Sequence, residues 1–128
     1  MIKPIHSVAM LLWSADLSAP QRLATPFVMA QAAVALDLAV EMYFTAQTVR
    51  LLTERLGTLE IGFGREQRTL ADYLAAVHEL DVKLFACSQA LHAADLQRSD
   101  LTPLCTGLGG SVQFMERSSD PAWRTLVF

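Results

Sequence analysis

The residues whose types suggest chemistry converge on one stretch, Val82-Lys83-Leu84-Phe85-Ala86-Cys87-Ser88. Val82, Leu84, Phe85 and Ala86 form an apolar run between Asp81 and Ser88, the pattern of a short parallel strand covered on both faces. Cys87 ends that run. Ser88 is placed to N-cap a helix starting at Gln89, accepting a backbone N–H near Leu91. A cysteine just ahead of a helix meets free N–H groups and the positive end of the dipole, which favour a thiolate. The carboxyl end of a strand in an open α/β sheet is also where ligands bind. A free cysteine there is equally a small buried hydrophobe, so a reactive and a packing role for Cys87 both stand at this point. His92 follows five residues later, where a solvated helix face is the simpler reading. The other cysteine, Cys105, reads as packing before it reads as a thiol that resolves a Cys87 intermediate. Hydrolysis by Cys87 with His92 lacks a third group to orient the imidazole.

Composition narrows the function classes. The chain has 128 residues, of which 52% are hydrophobic and only 18% charged, so one domain over residues 1–128 has ample material for a core. The apolar excess points to buried parallel strands and a subunit interface. A net charge of −3 without a basic cluster argues against nucleic acid as a partner. Two cysteines form no disulfide framework and show no metal-ligand spacing, which fits a reduced, cytoplasmic setting. Met1 to Ala15 resembles a secretory leader only loosely. Lys3 supplies a charge, but the apolar core Val8–Trp13 is short and Pro4 and His6 interrupt its approach, so a first buried strand fits better. Gln31 and Asp37 break the longest apolar run, which leaves no membrane span.

The elements that must position Cys87 alternate in type. A strand is expected over Ser7–Trp13. A helix follows, starting at Gln21 behind Pro20 or at Pro26 with Thr25 as N-cap, and ending near Asp37. Its apolar residues lie on more than one face, as in a helix between a sheet and a neighbour. Ala39–Thr45 reads as the second strand, with Glu41 at a strand end or facing an interface. Ala46–Leu56 reads as a second helix with Val49, Leu52 and Leu56 in one stripe, ended by Gly57. Gly57–Arg68 is irregular and glycine-rich, and its Leu59, Ile61 and Phe63 suggest a cleft over Cys87 or an interface beside it. Thr69 N-caps a third helix with Asp72 at N3, and Leu70, Tyr73, Leu74 and Val77 keep its stripe, with His78 half-buried beside it. After Cys87 come a short helix to about Asp95, a turn at Ser99–Pro103, and a brief strand over Leu104–Gly107 carrying Cys105. Gly109-Gly110-Ser111 then opens a helix with Val112 and Met115 inward, where the glycines allow either an anion at the helix start or close packing. Trp123–Phe128 is the last strand. This alternation is the pattern of an α/β fold built on one parallel sheet with helices on both faces.

The order of these motifs resembles the DsrE/DsrF-like family, sulfur-relay proteins that include DsrE, DsrF, DsrH and TusD, and most closely its stand-alone DsrE-like branch. The resemblance rests on Ala32-Ala33-Val34-Ala35-Leu36 running into Val40-Glu41-Met42-Tyr43-Phe44-Thr45, then Val49-Arg50-Leu51-Leu52, the Val82–Ser88 stretch with its Ala-Cys and hydroxyl residue, and a final strand. It implies a three-layer α/β/α sandwich around a five-stranded, mainly parallel sheet, assembled as a homo-oligomer, a trimer or a hexamer. It also implies that Cys87 carries sulfur as a persulfide exchanged with a TusA-like or other sulfur-carrier protein, with no cofactor and no metal. Ser88, His92 and Cys105 are the auxiliary candidates. The alternative is a non-catalytic oligomeric binding subunit in which Cys87 is structural. One departure from the family pattern stands out. The glycine often found after the second strand is replaced by Ala46, followed by Gln47 and Thr48.

Overall fold

The computed structural model describes residues 4–128; Lys3, weighed above as the charge of a leader, lies outside them. In chain order the elements are β1 (Ser7–Leu12), α1 (Thr25–Ala35), β2 (Ala39–Phe44), β3 (Glu60–Ile61), β4 (Arg68–Thr69), α2 (Leu70–Glu79), β5 (Lys83–Ala86), α3 (Ser88–Ala93), β6 (Gly107–Leu108), α4 (Ser111–Ser118) and β7 (Trp123–Val127). Five of the strands form one sheet in the order β6-β5-β2-β1-β7, with every pairing parallel. Among the described residues no helix is long and apolar enough to cross a membrane.

Strand alternation sorts the core into two layers. Val8, Met10, Leu12, Val40, Met42, Phe44, Leu84 and Ala86 point to one face, under α1, α2 and α3. Ala9, Leu11, Tyr43, Phe85 and Trp123 point to the other, where Phe114 of α4 covers them. β6 and β7 are the two edges of the sheet, so the segment carrying α4 must cross the whole second face. At eight residues α4 is about 12 Å long and leaves much of that face thinly covered.

Helix ends show a repeated device. α1, α2 and α3 each finish with an aspartate at positive φ: Asp37 (63°), Asp81 (64°) and Asp95 (55°). The amide three residues past the helix end then bonds back into the last turn: Leu38 to Ala33, Val82 to Val77 and Leu96 to Leu91. This is the six-to-one closure usually built with glycine, here with aspartate, which tolerates the left-handed region better than most residues. Each closure packs an apolar residue against the core, Val82 fully buried and Leu38 and Leu96 half-buried, and turns the chain into its next segment.

Several expectations need correction. Ala46–Leu52 and Glu54–Leu56 are 3-10 turns, not an α-helix. The buried residues there are Thr48, Val49, Leu51 and Leu52, a period of three that suits the tighter winding. The hydroxyls of Thr48 and Thr53 also bond to carbonyls three residues back, at 2.7 and 2.6 Å. Gly57 has a right-handed conformation (φ −57°) and is no left-handed cap. α1 has Ala24, not Thr25, at its N-cap, whereas Thr69 caps α2 as expected, accepting from the Asp72 amide at 3.1 Å. His78 is exposed, not half-buried. The strand near Cys105 is Gly107–Leu108, so Cys105 lies in the loop before it. Val112 and Met115 point outward, at 74% and 58% exposure, because Phe114 takes the inward position. The Gly57–Arg68 segment forms the β3–β4 hairpin beside α1 and α2, with Ile61 buried and the Gly62 amide bonded to the Pro20 carbonyl at 3.1 Å. None of its residues lines the cavity at Cys87.

Candidate functional site

Cys87 is fixed by two elements at once. Its amide donates to the Phe44 carbonyl at 3.0 Å, continuing the β5–β2 pairing, while its carbonyl accepts from the Leu91 amide at 3.0 Å and opens α3. Cys87 is therefore itself the N-cap residue. Ser88 is the first helical residue and makes no capping bond, which corrects the expected start at Gln89. Extended geometry at Cys87 (φ −71°, ψ 121°) lets the strand run straight into the helix.

The Gly109–Gly110 turn brings a second helix start to the same sulfur. The Gly109 amide donates to the Ala86 carbonyl at 3.0 Å, which pins the turn to the end of β5. A Cβ on Gly109 would stand 3.0 Å from the Phe85 side chain, so a larger residue would have to push that ring aside by a few tenths of an ångström. Gly110 is the N-cap of α4, and a Cβ built on it would sit 3.8 Å from Cys87 Sγ. Neither α3 nor α4 has a side-chain cap, so the N–H groups of both first turns are left without one.

Between these parts lies a cavity of about 230 Å³, walled by Leu11, Tyr43, Phe114 and Met115, with Cys87 on one side and Thr45, Gln89 and Ser111 supplying polar atoms. Tyr43 is the floor. Its ring stacks on Phe85 (centroids 5.2 Å apart) and meets Phe114 edge-on at 5.6 Å. The Tyr43 hydroxyl donates to Glu41 Oε1 at 2.6 Å and accepts from Gln113 Nε2 at 3.0 Å. Burial, reinforced by the Glu41 hydrogen bond, pushes the phenol up to about 12. Arg117 grips the same carboxylate with two bonds, Nε to Oε1 at 2.9 Å and a terminal nitrogen to Oε2 at 3.2 Å, and lies 4.6 Å from the centre of the Trp123 ring. Glu41 thus ties α4 to β2 rather than ending a strand.

The turn after β2 carries a strained residue. Ala46, next to Thr45, has φ +51°, a region that costs an alanine roughly 1–2 kcal/mol and a glycine almost nothing. The backbone keeps the turn although the residue is unsuited to it. Thr48 steadies the turn from below, its hydroxyl 2.6 Å from the Leu12 carbonyl and 2.7 Å from that of Thr45.

The auxiliary candidates do not gather at the sulfur. Ser88 is exposed and faces an open groove on the far side of Gly109 and Gly110, with Leu108 and Val112. His92 is exposed on α3 and lines no part of the cavity. Cys105 is also outside the cavity. Its thiol lies 3.5 Å from the Leu84 carbonyl and 3.4 Å from that of Gly107, and burial pushes it up. Both cysteines are free thiols. The site residues missed from sequence are Tyr43, Gln113 and Arg117 and the apolar walls. Their signals were the two-residue spacing of Glu41 and Tyr43 on one strand face and the four-residue spacing of Gln113 and Arg117 on one helix face.

The fold has close counterparts among solved structures. The MTH1491 protein of unknown function from Methanobacterium thermoautotrophicum is similar at a TM-score of 0.71 and 16% identity, over 95% of this chain and 98% of that one. The ychN protein of E. coli is similar at a TM-score of 0.66 and 13% identity, over 97% and 100% of the two chains. At such identities the likeness is one of fold. No curated protein matches the chain. The family comparison matches residues 8–128, and the chain belongs to the DsrE/DsrF-like family.

Proposed function

We propose that this protein is a cytoplasmic sulfur carrier of the DsrE type. It holds sulfur on Cys87 as a persulfide, exchanges it with a partner carrier such as a TusA-like protein, and works as a homo-oligomer, a trimer or a hexamer. The observation that carries this reading is the position of Cys87 Sγ: half-buried in a cavity, at the start of α3 and against the start of α4. The Cys87 thiolate attacks a sulfane sulfur, the donor's S–S bond breaks, and the donor leaves as a thiolate. The bound sulfur is then held as Cys–S–S⁻, near helix-end N–H groups that favour negative charge. A second thiolate removes it by the same exchange in reverse.

Family membership supports a sulfur-relay role at this coarse level. Oligomerisation is supported by apolar side chains left in water, including Val112, Met115, Leu36, Phe63 and Val127. A competing reading, a binding subunit with Cys87 as packing, draws on the fact that among the described residues no cationic side chain lines the cavity. Transfer decides between them. The protein, preloaded with sulfur, is mixed with a reduced TusA-like carrier and both masses are followed. The reading expects one sulfur atom to pass from this chain to the carrier; if Cys87 keeps its sulfur or never takes it, the binding-subunit reading prevails. Light scattering after size exclusion checks assembly, and a mass that stays at 14.1 kDa at micromolar concentration would overturn it.

A further inference from the structure

Resting on the sulfur-carrier reading, we infer that the Cys87 cavity takes its sulfur from a small persulfide with a short, uncharged, apolar stem, and discriminates against anionic donors such as thiosulfate and glutathione persulfide. Three features of the cavity lead there. The first is charge: among the described residues, no Lys, Arg, His, Asp or Glu lines it. The nearby pair Glu41 and Arg117 is spent on itself, and Arg117 borders the neighbouring groove rather than this cavity. The Tyr43 hydroxyl is engaged by Glu41 and Gln113, neither of which lines the cavity.

The second feature is the electrostatic balance. The start of α4 contributes roughly half a positive charge at most, which offsets only about half the charge of the attacking thiolate. A dianion would enter beside that thiolate, shed its hydration and find no counter-charge, a cost of several kcal/mol. A persulfide on an alkyl stem sheds its single charge by protonation and reacts as R–S–SH, which carries no such penalty, and its stem gains by leaving water for Leu11, Phe114 and Met115.

The third feature is size. About 230 Å³ is room for roughly seven or eight water-sized units, and it falls below the ~300–1,000 Å³ of pockets that bury drug-sized ligands. A short alkyl chain with two sulfurs fits inside. A charged tripeptide is larger than this space and would leave its carboxylates outside, at a rim where the exposed Gln89, Ser111 and Met115 offer no cation.

The step balances as a simple exchange. The Cys87 thiolate attacks the outer sulfur of R–S–SH, a new S–S bond forms, the old one breaks, and R–S⁻ leaves. The transferred sulfur keeps its proton until it ionises. No oxidant or reductant is consumed.

The test measures loading of one sulfur atom by intact mass, with propyl persulfide, glutathione persulfide and thiosulfate, each rate divided by that of the same donor with free cysteine. Propyl persulfide is expected to exceed both others by about tenfold or more, the ratio that about 1.4 kcal/mol of discrimination produces. Gln89→Lys puts a cation at the rim on an exposed polar side chain. That variant is expected to load faster from thiosulfate and to lose part of the preference for propyl persulfide. Equal or faster normalised loading from thiosulfate or glutathione persulfide overturns the inference and leaves the carrier reading standing. If no donor loads Cys87, the carrier reading itself falls.

Discussion

Arg117→Met tests whether α4, and with it the Gly110 wall over Cys87, is held by the Glu41 clamp. The side chains of Glu41 and Arg117 are 13% and 31% exposed, so the pair lies between the exposed and buried limits. Breaking a fully buried pair costs about 3–5 kcal/mol, and an exposed one is worth about 0.2–1 kcal/mol. Tyr43 would still donate to the abandoned carboxylate, which moves the value toward the middle, about 2 kcal/mol. Loss of the guanidinium contact with Trp123 adds roughly 0.5–1 kcal/mol. Arg117→Met is therefore expected to lose about 2–3 kcal/mol in urea denaturation at fixed protein concentration, with a lower midpoint and an unchanged slope. Glu41→Gln, which still accepts from Arg117 and Tyr43, is expected to lose less. The double variant should show a coupling of at least about 1 kcal/mol. If Arg117→Met stays within about 0.5 kcal/mol of the parent, or the coupling is near zero, the clamp is not what holds α4.

Three further outcomes follow from the geometry. Ala46→Gly removes the left-handed strain at φ +51° but adds unfolded-state freedom, for a net gain of about 0.5 kcal/mol; a destabilised variant in the same urea assay would contradict the strain argument. Tyr43 has a folded-state value pushed to about 12 from an ordinary 10, so its contribution to stability is complete below pH 10 and is lost as pH climbs toward 12; phenolate absorbance should show one tyrosine titrating late and together with unfolding, and titration of both tyrosines at the ordinary value would refute it. Limiting iodoacetamide at neutral pH should label Cys87 before Cys105, because burial leaves the Cys105 thiol less ionised, and peptide mass showing Cys105 labelled first would refute this.

How much of this was legible in the sequence depends on whether the signal was local. The strands were readable because buried parallel strands are continuous apolar runs, and Ser7–Leu12, Ala39–Phe44 and Lys83–Ala86 fall where those runs are. The placing of Cys87 at a strand-to-helix junction was readable for the same reason. The caps were harder. Glycine was sought at helix ends, yet Asp37, Asp81 and Asp95 make the closures, each followed by Leu38, Val82 or Leu96. The 3-10 run at Ala46–Leu52 was missed because Val49, Leu52 and Leu56 fit a helical stripe, while the deciding features, a buried Thr48 and its bond to the Thr45 carbonyl, need three dimensions. α4 was turned the wrong way because Val112 and Met115 look like core residues. Its orientation is set at long range, by Phe114 on Tyr43 and Arg117 on Glu41, 76 residues apart. The walls of the Cys87 cavity come from β1, β2 and α4 together, so no window of sequence contained them.

The most direct test of the central claim is intact-mass analysis after incubation with a sulfane-sulfur donor, comparing the parent protein with Cys87→Ser. The account predicts one added sulfur atom on the parent, removed by a thiol reductant, and none on Cys87→Ser. An equal gain on Cys87→Ser, or no gain on either protein, would contradict it.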